Sequence, residues 1–362
     1  MKRNSLYVVM AIFFSCTNNR TLQFEEMVIE ADGPEWCWTK AAADVNGDSI
    51  DDLLIGGYNG GGVWFYLSPD YRKEQVSDWT GAKTDAEILD IDNDGDKDVV
   101  CLFDHTIWWF SNPGWNPHFI DSLTAHDLEA ADMDGDGLSD LIARDQGEFN
   151  SRGDTLFLIK HYREFQWMTR KIIIPNGEGL KVSDLNADGK PDIIVNGLWL
   201  ENTGVMTNWG KHAYSELWTW PNTYIDAADI NGDSRKDILV APSELAGNYY
   251  RLSWFEQGND PFVPWEEHVV VDSIETVLHF TGLADFNLDG KTDIAYAEMK
   301  QGLPPHEVAV LTQLKNSWSK TVLSNGGSHS MRITDLDGDG DADLYGANWQ
   351  EDTVKIWINN IR

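Results

Sequence analysis

Seven nine-residue acidic stretches dictate what this chain can become. The clearest runs Asp335, Leu336, Asp337, Gly338, Asp339, Gly340, Asp341, Ala342, Asp343. Acidic or amide side chains at positions one, three, five and nine of a tight loop can converge on one hard cation, and the carbonyl at position seven adds a further oxygen. A glycine at position six lets the backbone turn sharply. The same pattern places Asp44, Asn46, Asp48 and Asp52 in a first loop, and Asp90, Asp92, Asp94 and Asp98 in a second. Asp132, Asp134, Asp136 and Asp140 make the third, Asp184, Asn186, Asp188 and Asp192 the fourth. Asp229, Asn231, Asp233 and Asp237 follow, then Asp285, Asn287, Asp289 and Asp293, and Asp335, Asp337, Asp339 and Asp343 close the series. Single Asp-Gly turns are common, but seven copies with aspartate at positions one, five and nine predict up to seven calcium sites. An EF-hand is excluded, because its twelfth position needs a bidentate glutamate. Here that position holds Ile55, Cys101, Ala143, Val195, Val240, Tyr296 and Gly346.

Each loop runs into an apolar, β-branched stretch such as DVVCL, DIIVN or DILVA, which reads as a strand. A turn and an aromatic strand come next, starting near Val63, Ile107, Leu156, Leu198, Leu252, Val308 and Val354. A third strand of the pattern W-x-x-H/K-x-V/I follows at residues 115–120, 167–172, 265–269 and 318–322. A fourth, of smaller residues, leads into the next loop. Loop starts lie 46, 42, 52, 45, 56 and 50 residues apart. That is the period of a propeller blade and not of a helical solenoid. The chain ends before the last unit has its full set, while residues 24–29 carry the missing strand's pattern ahead of the first unit. The expected fold is therefore all-β, a seven-bladed β-propeller of four-stranded blades in one domain over residues 23–362, with the N-terminal strand closing the ring. Trp64, Trp108, Trp109, Trp199, Trp254 and Trp357 recur on the aromatic strand and are expected to pack between blades.

The formal net charge of −33 argues against nucleic acid as a partner. Much of it is local: of the 28 loop positions named above only four are asparagine, which leaves 24 carboxylates. Residues 1–16 have the form of an export signal, with Lys2 and Arg3 ahead of an apolar run too short to span a bilayer. The segment resembles a bacterial lipoprotein signal with Cys16 as the lipidated residue, followed by a tether over residues 17–22. Phe13 and Phe14 depart from the usual residues before that cysteine, so plain secretion is the alternative. The expected location is the bacterial outer membrane or cell surface, otherwise the periplasm or medium, with no membrane contact beyond the anchor. The remaining Cys37 and Cys101 read as buried thiols.

The loops and the four-strand units together resemble the FG-GAP/VCBS repeats of the integrin α-subunit propeller and of secreted bacterial and fungal propellers. The resemblance implies calcium in the loops, on the lower face, and ligand contact on the upper face. It does not imply an activity, because the fold hosts receptors, lectins and carbohydrate-active enzymes. Aligning the units on the first aspartate puts Trp38, Thr84, His126, Glu178, Thr223, His279 and His329 six residues ahead of it, a ring at the upper mouth. Three residues ahead stand Ala41, Glu87, Glu129, Lys181, Asp226, Gly282 and Arg332, expected to line a central channel. Each histidine could instead bond a neighbouring blade's backbone. Trp36, Trp218, Trp220, Trp349 and Tyr224 fall in or near upper loops, where aromatic faces suit sugar rings. The candidate ligand residues are His126, His279, His329, Trp38, Tyr224, Arg332 and Trp349. The leading expectation is a monomeric, non-catalytic binder of a glycan or protein. The alternative is a polysaccharide lyase, or another carbohydrate-active enzyme, using an upper-face His/Tyr/Arg set.

Overall fold

A computed structural model of the protein describes residues 22–146 and 153–361. The expected export signal, Cys16 and all but the last residue of the expected tether lie outside the described residues. Among the described residues the structure is β-strand joined by turns, with a single 3-10 turn at Arg163–Phe165, and no helix is long and apolar enough to cross a membrane.

One unit shows why the sequence folds this way. Its inner strand, Ala82–Leu89, alternates buried and half-buried residues, as a strand with one face on a channel should. The acidic loop turns the chain into Asp98–Phe103, buried at every position. Thr106–Ser111 pairs next, with Val99 opposite Phe110, and Asn116–Asp121 completes the meander with its outer face in water. Only the strand enclosed on both faces is continuously apolar, because only there does each side chain meet a neighbouring sheet.

The chain repeats this unit. Among the described residues five four-stranded sheets stand alone, and a further eight-stranded sheet consists of two such meanders joined by one parallel pairing of Lys40 with Asp85. The inner strands Glu35–Ala43, Ala82–Leu89, Asp127–Ala131, Lys181–Ser183, Thr223–Ala228, Leu278–Ala284 and His329–Thr334 touch one another in chain order, and the last also touches the first. The buried side chains form clusters, each filled from two successive units. One of them joins the last unit to the first, with Leu336, Tyr345 and Ile356 packed on Cys37, Leu53 and Tyr66. Tyr345 also donates across that seam to the carbonyl of Ala41, at 2.7 Å. Cys37 and Cys101 are buried free thiols.

The N-terminal strand Phe24–Glu30 pairs antiparallel with Val354–Asn359, from Phe24 opposite Asn359 to Glu30 opposite Val354. It supplies the fourth strand of the last sheet. Phe24 meets Phe286 edge to face at 6.1 Å, and Glu26 accepts from Lys355 and from Trp357 Nε1. The pairing covers an edge that would otherwise offer a row of free backbone groups. A chain starting at Gly33 loses six Cα pairings. At roughly 0.5–1.5 kcal/mol per backbone hydrogen bond, the loss is about 3 kcal/mol or more. The expected result is a lower melting temperature and self-association on gel filtration. A monomer as stable as the longer chain would show that this strand contributes nothing.

Candidate functional site

The inner strands have two ends, and they differ in character. At the exit end sit the acidic loops. Positions four and six adopt positive φ in every one of them, from Gly338 (76°) and Gly340 (88°) to Ala187 (57°), Leu288 (53°) and Ser49 (71°). Glycine suits both places, and the side chains that stand there are held by the loop's hydrogen bonds. Asp335 accepts from the amides of Gly338 and Gly340, at 2.8 and 3.0 Å; the first aspartate of every other loop also accepts from the position-six amide, and Asp44, Asp132 and Asp229 from the position-four amide as well.

The ninth aspartate is more than a candidate ligand. In every unit its Oδ1 accepts from a backbone amide at the end of the aromatic strand: those of Ser68, Asn112, His161, Asn202, Gln257, Gln313 and Asn359. In most units Oδ2 accepts from the amide at loop position two; in the last, Leu336 donates to Asp343 at 2.8 Å. Burial pushes these carboxyls up, to about 6 for Asp52, Asp98, Asp140, Asp192, Asp237 and Asp293, and to about 7 for Asp343. From the same strand end, the side-chain amides of Asn202, Gln257, Gln313 and Asn359 reach the position-two carbonyl of the preceding loop. Every loop is thereby fastened to its own sheet, and the third to sixth loops also to the next unit.

Carboxylates that could hold a metal ion converge in the loops with aspartate at position three: Asp90, Asp92 and Asp98; Asp132, Asp134 and Asp136; Asp335, Asp337 and Asp339. In the fourth, fifth and sixth loops Lys190, Arg235 and Lys291 each pair with the position-five aspartate alone, but in the third one cation bridges two carboxylates. The ammonium of Lys160 bonds Asp134 and Asp136, both at 2.8 Å, and lies 3.3 Å from Asp140 Oδ1. Burial alone would lower the lysine's pKa, but these carboxylates hold it above the ordinary range.

At the entry end the histidines meet. His126 and His279 approach edge to face with ring centroids 5.4 Å apart, and His279 stacks on His329 at 4.0 Å. Ser330 Oγ lies 3.0 Å from Nδ1 of both His279 and His329. Burial, then the neighbouring His279, holds His329 well below the usual imidazole range. The backbone bonding expected of this ring falls instead to its threonines: Thr84 donates to the carbonyl of His126, and Thr223 to that of Glu178. His126 pairs with Asp127 at 2.8 Å, and Glu244 Oε1 lies 3.0 Å from His279 Nε2. One ligand atom from each of His126, Glu178, Glu244 and His279 lies within 4.8 Å of the others; Glu178, Glu244 and His279 are buried, and the His126 side chain is 12% exposed.

Above this layer opens a cavity of about 350 Å³, lined by Trp38, Tyr58, Thr84, His105, His126, Glu244, His329 and Trp349. Its wall is aromatic. Trp38 and Tyr58 stack at 3.9 Å, Trp36 packs behind both, and Trp38 Nε1 donates to the carbonyl of Trp349 at 2.7 Å. Below lies a second cavity, of about 380 Å³, lined by the charged residues that stand three and five positions ahead of each loop. Arg332 bonds Asp85 at 2.6 Å, Lys181 bonds Glu129 at 2.9 Å, and burial beside Glu129 and Asp85 raises the Glu87 carboxyl well above its ordinary range.

The expected ligand residues therefore divide. Trp38, His126, His329 and Trp349 share the aromatic cavity, whereas Tyr224, Arg332 and His279 line the channel beneath it. Tyr224 and Asp226 lie two apart on a regular strand, which turns both toward the axis. Trp218 and Trp220 are packing residues, since both join a buried cluster and donate their indole hydrogens to the carbonyls of Trp220 and Ser243. His105 and Glu244 escaped the sequence reading because they sit beyond the second strand, in connections of unequal length that no repeat alignment places, and Tyr58 because it stands near the far end of the long strand Asp52–Gly60.

Residues 90–143, 184–240 and 285–346 match the FG-GAP-like repeat family. Each match begins on the first aspartate of an acidic loop. No curated protein matches the sequence. Among solved structures, an Agrocybe aegerita lectin, described by its specific recognition of non-reducing terminal N-acetylglucosamine, superposes with a TM-score of 0.54 at 16% identity, over 88% of this chain and 84% of the lectin. BBS1N, solved in complex with ARL6DN, superposes with a TM-score of 0.58 at 9% identity, over 92% of this chain and 95% of that one. At these identities the likeness is one of fold.

Replacing Asp343 by alanine strips the buried amides of Leu336 and Asn359 of their acceptor. The expected cost is about 2–5 kcal/mol, read as a lower denaturation midpoint, with Asp343→Asn less damaging because it keeps one carbonyl oxygen. An Asp343→Ala protein as stable as the parent would remove the ninth aspartate's structural role.

Proposed function

We propose that this FG-GAP-repeat chain is a single seven-bladed propeller, closed by its N-terminal strand, which holds calcium in its acidic loops and binds a glycan in the aromatic cavity at the opposite end. The observation that carries the reading is the stacked Trp38–Tyr58 pair facing Trp349 over a floor of His126, Glu244 and His329. Apolar C–H faces of a sugar pack on aromatic rings, while buried polar groups fix its hydroxyls. The glycan recognised by the Agrocybe lectin supports the same class of ligand, and the BBS1N complex makes a protein ligand the second reading.

Calcium suits loops whose carboxylates repel one another until a cation enters. In the third loop Lys160 already supplies the positive charge, so the reading assigns calcium to the other six. The basic and apolar start of the chain supports export, with Cys16 as a lipid anchor. The lyase alternative draws less support. Its His279, Tyr224 and Arg332 do meet, but in the channel apart from the aromatic cavity, and burial pushes the Tyr224 hydroxyl up to about 12, far from the range in which a general base works at neutral pH.

A glycan array probed with the labelled protein identifies the ligand, and titration of variants then tests the site. Trp38→Ala and Trp349→Ala should each weaken binding about tenfold, the loss of roughly 1.4 kcal/mol of stacking and burial, with circular dichroism unchanged. Full affinity in both variants would move the site elsewhere.

A further inference from the structure

We propose that His126, Glu178, Glu244 and His279 form a binding site for one divalent transition-metal ion of the zinc class, at the entry end of the inner strands and separate from the acidic loops. His126, Glu178 and His279 occupy the same position in three units, six residues ahead of the loop. Glu244 comes from the connection after the buried strand Asp237–Pro242, and its positive φ of 81° turns it into the group. Four residues remote in sequence thus place one donor atom each within 4.8 Å of the others.

Two polar atoms of these side chains are unsatisfied. Glu178 is 1% exposed and His279 is 4% exposed, yet Glu178 Oε1 and His279 Nε2 make no hydrogen bond. The 3.0 Å approach of His279 Nε2 to Glu244 Oε1 has the distance of such a bond without its direction. Buried polar groups are seldom left so, because each costs about 1–3 kcal/mol. The nearby guanidinium does not relieve Glu178, since Arg144 donates to the carbonyls of Gly179 and Pro175 and to Asn196.

Other polar atoms of the same side chains are held, among them Glu178 Oε2, which also lies 3.8 Å from His126 Nε2. His126 Nδ1 is 2.8 Å from Asp127 Oδ1, His279 Nδ1 is 3.0 Å from Ser330 Oγ, and Glu178 Oε2 accepts from Gln146. An outer partner on each imidazole, leaving Nε2 to face inward, is the arrangement that orients metal-binding histidines. Two imidazoles and two carboxylates suit zinc, manganese, iron or cobalt, whereas calcium takes six to eight oxygens. Donor–metal distances of about 2.0–2.2 Å require the four atoms to draw in by roughly 1 Å at most. His126 and Glu244 also line the aromatic cavity, so the ion would face whatever enters it. The proposal stands whether or not that cavity binds a glycan.

The test counts metal. The full chain is stripped with chelator, reloaded with zinc in excess calcium so that the loops stay filled, gel-filtered, and analysed by plasma mass spectrometry. About one zinc per chain is expected to survive. Glu178→Gln, close in shape to the parent, and the double variant His126→Asn with His279→Asn should both lose it. Ser330→Ala, which removes the outer partner of His279, should weaken zinc binding about 10- to 100-fold. Zinc at background in the parent, or zinc retained equally by Glu178→Gln, would overturn the proposal. Should the double variant fail to fold, Glu178→Gln decides.

Discussion

Everything repeated in this molecule hangs on a buried aspartate whose carboxylate is shared between two pieces of backbone. The ninth loop residue accepts from the end of the aromatic strand in every unit, and in most also from its own loop. A charge so buried is costly unless hydrogen bonds satisfy it. Those bonds hold the loop shut against the repulsion of its other carboxylates and fix where the buried strand begins. The amides of Asn202, Gln257, Gln313 and Asn359 then carry the constraint to the preceding unit. Asp343 and Asn359 are thus structural partners before any ion is considered.

Fastening one end of the inner strands leaves the other free to vary. Six residues of strand, roughly 20 Å, separate the first aspartate of a loop from Trp38, His126 or His329. At that distance the backbone pattern makes no demand on side-chain identity. Aromatic, imidazole and carboxylate groups gather there because the far end of the strand Asp52–Gly60 brings Tyr58, and the connections beyond the second strand bring His105 and Glu244, onto the ring. The acidic end is nearly the same in each unit and can supply little selectivity. The proposed ligand at the entry end would meet side chains that differ from unit to unit.

Much of this was legible in the residues. Period and strand pattern foretold the four-strand units, the pairing of residues 24–29 with the last strand, and the charged lining drawn from Glu87, Glu129, Lys181, Asp226 and Arg332. Aligning on the first aspartate also brought the three histidines to one level. The failures have physical causes. Tyr224 was expected at the mouth with Trp38 and Trp349, but alternation along its strand turns it to the channel, where it meets His279 edge to face at 6.1 Å. Trp218 and Trp220 fill a buried cluster, which composition cannot tell from a surface platform. Lys160 looked like one more residue of an aromatic strand, and only the fold shows its ammonium among Asp134, Asp136 and Asp140. Glu244 carries no periodic signal at all.

The most direct measurement is thermal unfolding of the full chain in excess calcium and again in excess chelator. If six loops hold calcium at about tenfold above its dissociation constant, mass action contributes roughly 1.4 kcal/mol at each, together comparable with the whole stability of an ordinary domain. The melting temperature should then fall by roughly 10 °C in chelator and recover when calcium is restored. An identical melting curve in both conditions would contradict the assignment of calcium to the acidic loops and leave their aspartates with a purely structural role.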